Sequence, residues 1–138
     1  MGIIEKIASM IGFKAPKIVD DINKTLATYV EEGYINTDEQ NALRHYHGIK
    51  KLSKEYGEDV AYILGIANEE LGFLYPPNSR EYQDWKADTN NNAVGLEHAQ
   101  NNIGMELDSI KTIEDVREPL QYLRVFNFSE YPQGKDAY

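Results

Sequence analysis

Residues 37–57 read TDEQNALRHYHGIKKLSKEYG, and this stretch decides the fold class. Its less polar positions step by three and four residues: Ala42, His45, Ile49, Leu52 and Tyr56. That spacing places the side chains on one face of an α-helix. Thr37 followed by Gln40 has the pattern of a capping box, and Gly57 is suited to end the helix. The stretch therefore predicts a long amphipathic helix.

The same periodicity recurs on both sides of this stretch. Further helices are predicted over about residues 2–13, 18–33, 58–71 and 80–103, and a short one follows the capping-box pair Thr112 and Asp115. Only residues 124–128 look extended. The sequence therefore predicts an all-α single domain, a bundle of about six helices over residues 1–128, with residues 129–138 as an irregular C-terminal tail.

Length and composition exclude several classes of protein. The 138 residues suit one domain, and the absence of Cys excludes disulfides, thiolate nucleophiles and thiolate metal sites. Lys plus Arg is 14 and Asp plus Glu is 23, giving a net charge of −9, which disfavours contact with nucleic acid or an anionic membrane. No apolar run approaches the ~20 residues of a membrane span. We expect no nucleic-acid partner and no transmembrane segment.

The basic residues of the central stretch do not change this expectation. They are few and lie in an acidic chain: Arg44, Lys50, Lys51 and Lys54. We expect them to face the acidic helix ends at residues 69–70 or Asp84. Synthesis in the cytoplasm without a signal peptide is expected, because Glu5 and Lys6 interrupt the first apolar segment.

The N-terminal helix over residues 2–13 has an isoleucine face formed by Ile3, Ile4, Ile7 and Ile11. Pro16 separates this helix from the next one, so residues 1–14 form a separable amphipathic element. Its apolar face must be covered, either by the rest of the bundle or by another molecule. We expect a protein partner or self-association through residues 2–13.

Residues 80–103 carry two competing stripes. An apolar seam consists of Tyr82, Trp85, Thr89, Asn92, Leu96, Ala99 and Ile103. A polar stripe at 4-3-4 spacing consists of Asp84, Asp88, Asn91 or Asn92, and Gly95. Asn and Gly each destabilise a helix interior by several tenths to ~1 kcal/mol relative to Ala, so something other than local stability keeps them there.

These residues predict a site between two helices. If the helices are antiparallel neighbours, His45 meets Asp88 or Asn92 in the bundle interior. His45 would act as general base and Asp88 would orient its ring. Arg44, Asn91 and Asn92 would bind substrate or a developing negative charge.

Two alternatives use the same residues. A hard cation, Mg²⁺ or Ca²⁺, is weakly supported, with Glu69, Asp84 and Asp88 as oxygen ligands. Because the chain lacks H-x-x-x-H and H-E-x-x-H, we favour the absence of any cofactor. The other alternative is a polar interlayer that fixes the register of the helices without any turnover.

The order of the motifs resembles a family of small helical domains found in bacterial secreted-toxin tails and phage proteins. The resemblance spans residues 37–100 and rests on N-A-x-R-H and D-x-x-N-N-x-x-G, which fall on Asn41, Ala42, Arg44 and His45, and on Asp88, Asn91, Asn92 and Gly95. The family's intervening H-E is not kept, because Asn68 precedes Glu69.

The resemblance implies a small hydrolase-like phage or bacterial effector with a His, Asp and Asn site. The departure at Asn68 implies that this chain is a degenerate, binding-only member if the family's His is catalytic. The competing hypothesis is a non-catalytic phage virion or interaction protein that docks through its N-terminal helix. Virion association is the localisation that this second hypothesis implies.

Overall fold

Five α-helices and two 3₁₀ turns form the part of the chain that the computed structural model describes, namely residues 15–69, 74, 76–77 and 79–127. The helices are α1 Ala15–Glu31, α2 Thr37–Tyr56, α3 Glu58–Glu69, α4 Arg80–Gln100 and α5 Ile113–Arg117; the 3₁₀ turns are Leu107–Ser109 and Glu118–Tyr122. These residues contain no strand, which confirms the predicted all-α bundle. No helix among them is long and apolar enough to cross a membrane. The predicted helix over 2–13 and the tail over 129–138 lie outside the described residues.

Helix α2 is the centre of the bundle, because it packs against α1, α3 and α4. It is buried around most of its circumference, at Ala42, Leu43, Tyr46, His47, Ile49, Lys50 and Ser53. The main apolar core joins its Leu43 to Ile22 and Leu26 of α1 and to Val116 of α5. Polar side chains on this helix are therefore forced into the interior as well.

The start of α2 differs from the prediction by one residue. Asn36, not Thr37, is the N-cap: its Oδ1 accepts the Glu39 N–H at 2.8 Å, and its own N–H donates to Glu39 Oε1 at 3.0 Å. Asn36 has the extended backbone that an N-cap requires, whereas Thr37 is already helical. The capping box predicted at Thr112 and Asp115 is confirmed.

Helices α2 and α4 run parallel, so the antiparallel arrangement that was the stated condition for the contact of His45 with Asp88 is not the one found. Asp88 contacts His45 just before the middle of each helix, His98 contacts Tyr46, and Lys50 reaches Ile103 just beyond α4. The reason is the intervening helix α3, which packs on both and reverses the chain between them. His45 meets Asp88 in either direction because both residues lie near the middle of their helices.

The buried face of α4 is the polar stripe and not the predicted apolar seam. The buried residues are Ala87, Asp88, Asn91, Gly95 and His98. Thr89 of the apolar seam is exposed, and α4 ends at Gln100, which leaves Ile103 in the following turn with 43% of its surface exposed.

Gly95 explains which face is buried. A Cβ placed on Gly95 would lie 2.7 Å from the carbonyl oxygen of Tyr46 and closer still to the Ile49 side chain. Any side chain at this position would therefore clash with the backbone of α2. The missing side chain lets the two helices come together along the stripe that contains Gly95, and this turns Asp88 and Asn91 inward.

Gly95→Ala is expected to destabilise the fold by about 1–3 kcal/mol, because the new methyl must push α2 and α4 apart. The matched control is Gly48→Ala in α2, whose added Cβ would meet only the Ile22 Cδ1 at an ordinary 3.8 Å. That variant is expected to gain up to ~1 kcal/mol from helix propensity. Denaturant unfolding of both variants measures the difference, and equal effects of the two substitutions would contradict this account of the helix contact.

Candidate active site

Both ring nitrogens of His45 contact side chains of helix α4. Its Nε2 lies 3.2 Å from Asp88 Oδ1, and its Nδ1 lies 3.1 Å from Asn92 Oδ1. The His45 side chain is 21% exposed and that of Asp88 is 12% exposed. The predicted contact between His45 and the 88–92 segment is therefore confirmed. The pair is mostly withdrawn from water but still reaches the surface.

A chain of hydrogen bonds extends this contact along α2. The Asn41 amide donates to Asp88 Oδ1 at 3.1 Å, and the Arg44 guanidinium donates to Asn41 Oδ1. Asp88 Oδ1 thus contacts both the Asn41 amide and the His45 ring. Asn41 belongs to the N-A-x-R-H motif, but no role for this residue was predicted from the sequence. Its position four residues before His45, on the same helix face, was the available signal.

The protonation of the His45 and Asp88 pair follows from its surroundings. Burial lowers the pKa of His45, and the hydrogen bond to Asn92 opposes this effect. Burial raises the pKa of Asp88 to about 6, against the Asn41 hydrogen bond and the Arg44 charge. With the Nδ1 proton assigned to the Asn92 bond, the 3.2 Å contact requires one further proton between Nε2 and the carboxylate. The lowered pKa of the ring and the raised pKa of the carboxyl group both favour a pair that shares this proton without a full charge on either partner.

Asp84 lies one helical turn before Asp88 and has a different environment. Its Oδ1 is buried and has no hydrogen-bond partner among the described residues. Burial, followed by the charge of Asp88, raises the pKa of Asp84 to about 6, while His45, Arg80 and Arg44 act in the opposite direction. Asp84 thus has one buried carboxyl oxygen without a hydrogen-bond partner among the described residues, close to the charges of Arg80 and Arg44. The sequence predicted Asp84 as a weak cation ligand or as an acidic group facing the basic residues of α2, and not as a proton acceptor.

The described residues do not form a metal centre. No three His, Asp or Glu side chains among them are grouped closely enough to hold a metal ion. The Mg²⁺ or Ca²⁺ site predicted from Glu69, Asp84 and Asp88 is left with two described carboxylates, since the Glu69 side chain lies outside the description. That site stays a prediction.

Asn91 is turned away from His45 and holds the chain after the second 3₁₀ turn. Its Nδ2 donates to the Arg124 carbonyl oxygen at 2.9 Å, and its Oδ1 accepts the Arg124 N–H at 2.8 Å. Asn90 also donates to the same Oδ1 at 3.1 Å. Both amide atoms of Asn91 are therefore engaged in fixing a backbone segment. Of the three predicted substrate-binding residues, Arg44 and Asn92 are the ones in contact with the Asp88 and His45 network.

Lys50 does not face an acidic helix end, which corrects the prediction for that residue. Its Nζ donates to the carbonyl oxygens of Ile103 and Met105 at 3.0 and 3.1 Å. The carbonyl groups beyond α4 are satisfied in this way by a buried cation from α2. For Lys50, the predicted contact with an acidic helix end is thus replaced by a contact with the backbone after α4. Arg44, in contrast, lies close enough to Asp84 for its charge to lower the pKa of that carboxyl group.

No family model, curated protein or solved structure matches this chain. The resemblance described above therefore rests on the motifs over residues 37–100, and the geometry of the site is the evidence for function.

Asp84→Asn is expected to stabilise the protein by about 1 kcal/mol near pH ~8, after allowance for solvent screening, and to leave it unchanged near pH ~4. The raised pKa of Asp84 means that the folded state binds more protons than the unfolded state between about pH 4 and 6. Its burial penalty is therefore absent below this window and complete above it. Thermal unfolding at both pH values provides the measurement.

The control for this experiment is Asp20→Asn, which removes the same charge from a surface pair with Lys24. No stabilisation at high pH is expected there. A destabilisation by Asp84→Asn of equal size at both pH values would contradict the prediction. It would mean that the Asp84 side chain makes a stabilising hydrogen bond or ion pair.

Proposed function

We propose that this chain is a small helical hydrolase-like effector of phage or bacterial origin, in which His45, Asp88 and Asp84 form an acid–base site. The observation that carries the proposal is a buried carboxyl oxygen without a partner, on Asp84, beside a His45 and Asp88 pair that holds an exchangeable proton. Two carboxyl groups with pKa values raised to about 6 are suited to proton transfer near neutral pH.

The roles follow from the contacts. Asp84 accepts a proton from a water molecule as the water oxygen bonds to the electrophilic atom of the substrate. The bond to the leaving group breaks, and the leaving group receives the proton held between His45 and Asp88. Arg44 supplies guanidinium donors for the negative charge that develops in the transition state. Asn41 and Asn92 position Asp88 and the His45 ring.

The loss of the family's histidine at Asn68 is compatible with this proposal. The proton transfers use side chains of α2 and α4, and none of them requires a side chain from the end of α3. The proposal therefore favours an active member over a binding-only member of the family that the sequence resembles.

The proposal is tested by expressing the chain in a bacterial host, once in the cytoplasm and once with an added export signal. We expect growth arrest or lysis in one of the two compartments. Asp88→Asn is expected to abolish the effect, because it removes the shared proton, while the matched surface variant Asp20→Asn retains it. The purified protein is then assayed against cell walls, a phosphodiester, an ester and a peptide substrate.

Two results would contradict the proposal. One is a wild-type chain that is inert in both compartments and on all four substrate classes. The other is an Asp88→Asn variant with wild-type activity. A large loss of thermal stability in His45→Ala, with no activity in the wild-type chain, would instead favour the polar interlayer and the non-catalytic interaction protein.

A further inference from the structure

A second polar region lies on the other side of α2 from His45. Residues 45 and 47 are two positions apart, so their side chains leave the helix in nearly opposite directions. Here a cavity of about 340 Å³ separates α2 from the 3₁₀ turn Leu107–Ser109. Its polar lining includes His47, Lys50, Lys51, Lys54, Glu106 and Asp108. This volume is in the range of small-molecule sites.

His47 provides the first reason to expect a ligand. The residue is only 2% exposed, and its Nε2 is buried with no hydrogen-bond partner among the described residues. Buried polar atoms in folded proteins almost always have a partner. Burial, followed by the Lys50 charge, lowers the pKa of His47 to about 4, so its ring is neutral at physiological pH. A neutral ring carries one N–H, on either nitrogen. With the proton on Nε2, the ring offers a donor to an acceptor in the cavity that His47 lines.

Lys50 provides the second reason. This side chain is 4% exposed, and its ammonium group donates to the carbonyl oxygens of Ile103 and Met105. An ammonium group carries three protons, so one proton is left beyond these two bonds. The Tyr46 ring centroid lies 5.1 Å from the same Nζ and adds a favourable cation–π contact. Together, His47 and Lys50 make the buried end of the cavity rich in donors.

The outer end of the cavity has mixed charge. Lys51 is partly exposed and Lys54 is exposed. Three acidic residues line the same cavity, namely Glu106 and the exposed Glu55 and Asp108. The acidic groups oppose the entry of an anion, whereas the two lysines favour it. The buried Lys50 ammonium distinguishes the two ends, and its charge favours an acceptor over a cation at the buried end.

We propose that this cavity binds a small ligand through an anionic oxygen, of a phosphate or a carboxylate group. His47 donates from Nε2 to that oxygen, and Lys50 contributes its third proton and its charge. Lys51 and Lys54 hold the ligand at the entrance. This site is separate from the His45 and Asp88 pair, so the inference does not depend on the proposed hydrolase activity.

The test is a titration of the ¹⁵N-labelled full chain with sodium phosphate and, separately, with sodium acetate, at constant ionic strength set with sodium chloride. The ring nitrogens of His47 are followed by NMR. We expect saturable shifts of the His47 resonances in the millimolar range with at least one of the two anions, and the stronger response identifies the ligand class. Lys51→Ala combined with Lys54→Ala should weaken binding several-fold, and Lys24→Ala on the exposed face of α1 should leave it unchanged.

Substitution of acidic residues at the outer end of the cavity, here called the acidic rim, gives an independent test that leaves His47 and Lys50 unchanged. Glu106→Gln combined with Asp108→Asn should tighten anion binding several-fold, because it removes two of the three opposing charges. The proposal is overturned if neither anion shifts the His47 resonances, if chloride alone produces the same shifts, or if MgCl₂ at matched chloride shifts them while phosphate and acetate do not. Weaker anion binding after removal of the rim acids would overturn it as well.

Discussion

The close contact of α2 with α4 at Gly95 is the constraint on which the rest of the arrangement depends. The backbone of α2 at Tyr46 occupies the space where any larger residue at position 95 would place its Cβ. This contact selects which face of α4 turns inward and sets how near the helices lie. Asp88, three and four residues before Asn91 and Asn92, is then brought within hydrogen-bond distance of His45. Gly95 has no reactive side chain, but it thus positions the titratable side chains of Asp88 and His45.

Polar contacts continue along the same seam in both directions. The Tyr46 hydroxyl lies 2.7 Å from His98 Nδ1, and the His98 ring meets Tyr122 edge-on. Further along, Lys50 satisfies the carbonyl groups that follow α4. Such networks fix register well but contribute less stability than apolar packing of equal volume. The apolar core of α1, α2 and α5 therefore supplies the stability that lets α4 bury carboxyl groups.

Helical periodicity was enough to predict the all-α class and the meeting of His45 with Asp88 and Asn92. It did not give the direction of α4 relative to α2, because a 3.6-residue period is the same in either direction. It also favoured the wrong face of α4, since a hydrophobic scale counts Thr89 and Ile103 and gives no weight to the space that Gly95 leaves. The bond from Asn91 to Arg124 joins residues 33 positions apart, and no local pattern encodes it.

The two hydrogen bonds between the Asn91 side chain and residue Arg124 involve only main-chain atoms of Arg124. They resemble the bonds by which one strand of a sheet pairs with the next. Evolution is therefore free to exchange the side chain at position 124, except for proline, which has no N–H to donate. The number of residues between Tyr122 and Arg124 is constrained more strictly than the side chain at position 124. An inserted or deleted residue between Tyr122 and Arg124 would present the wrong peptide group to Asn91, so homologous sequences should vary here by substitution and keep their spacing.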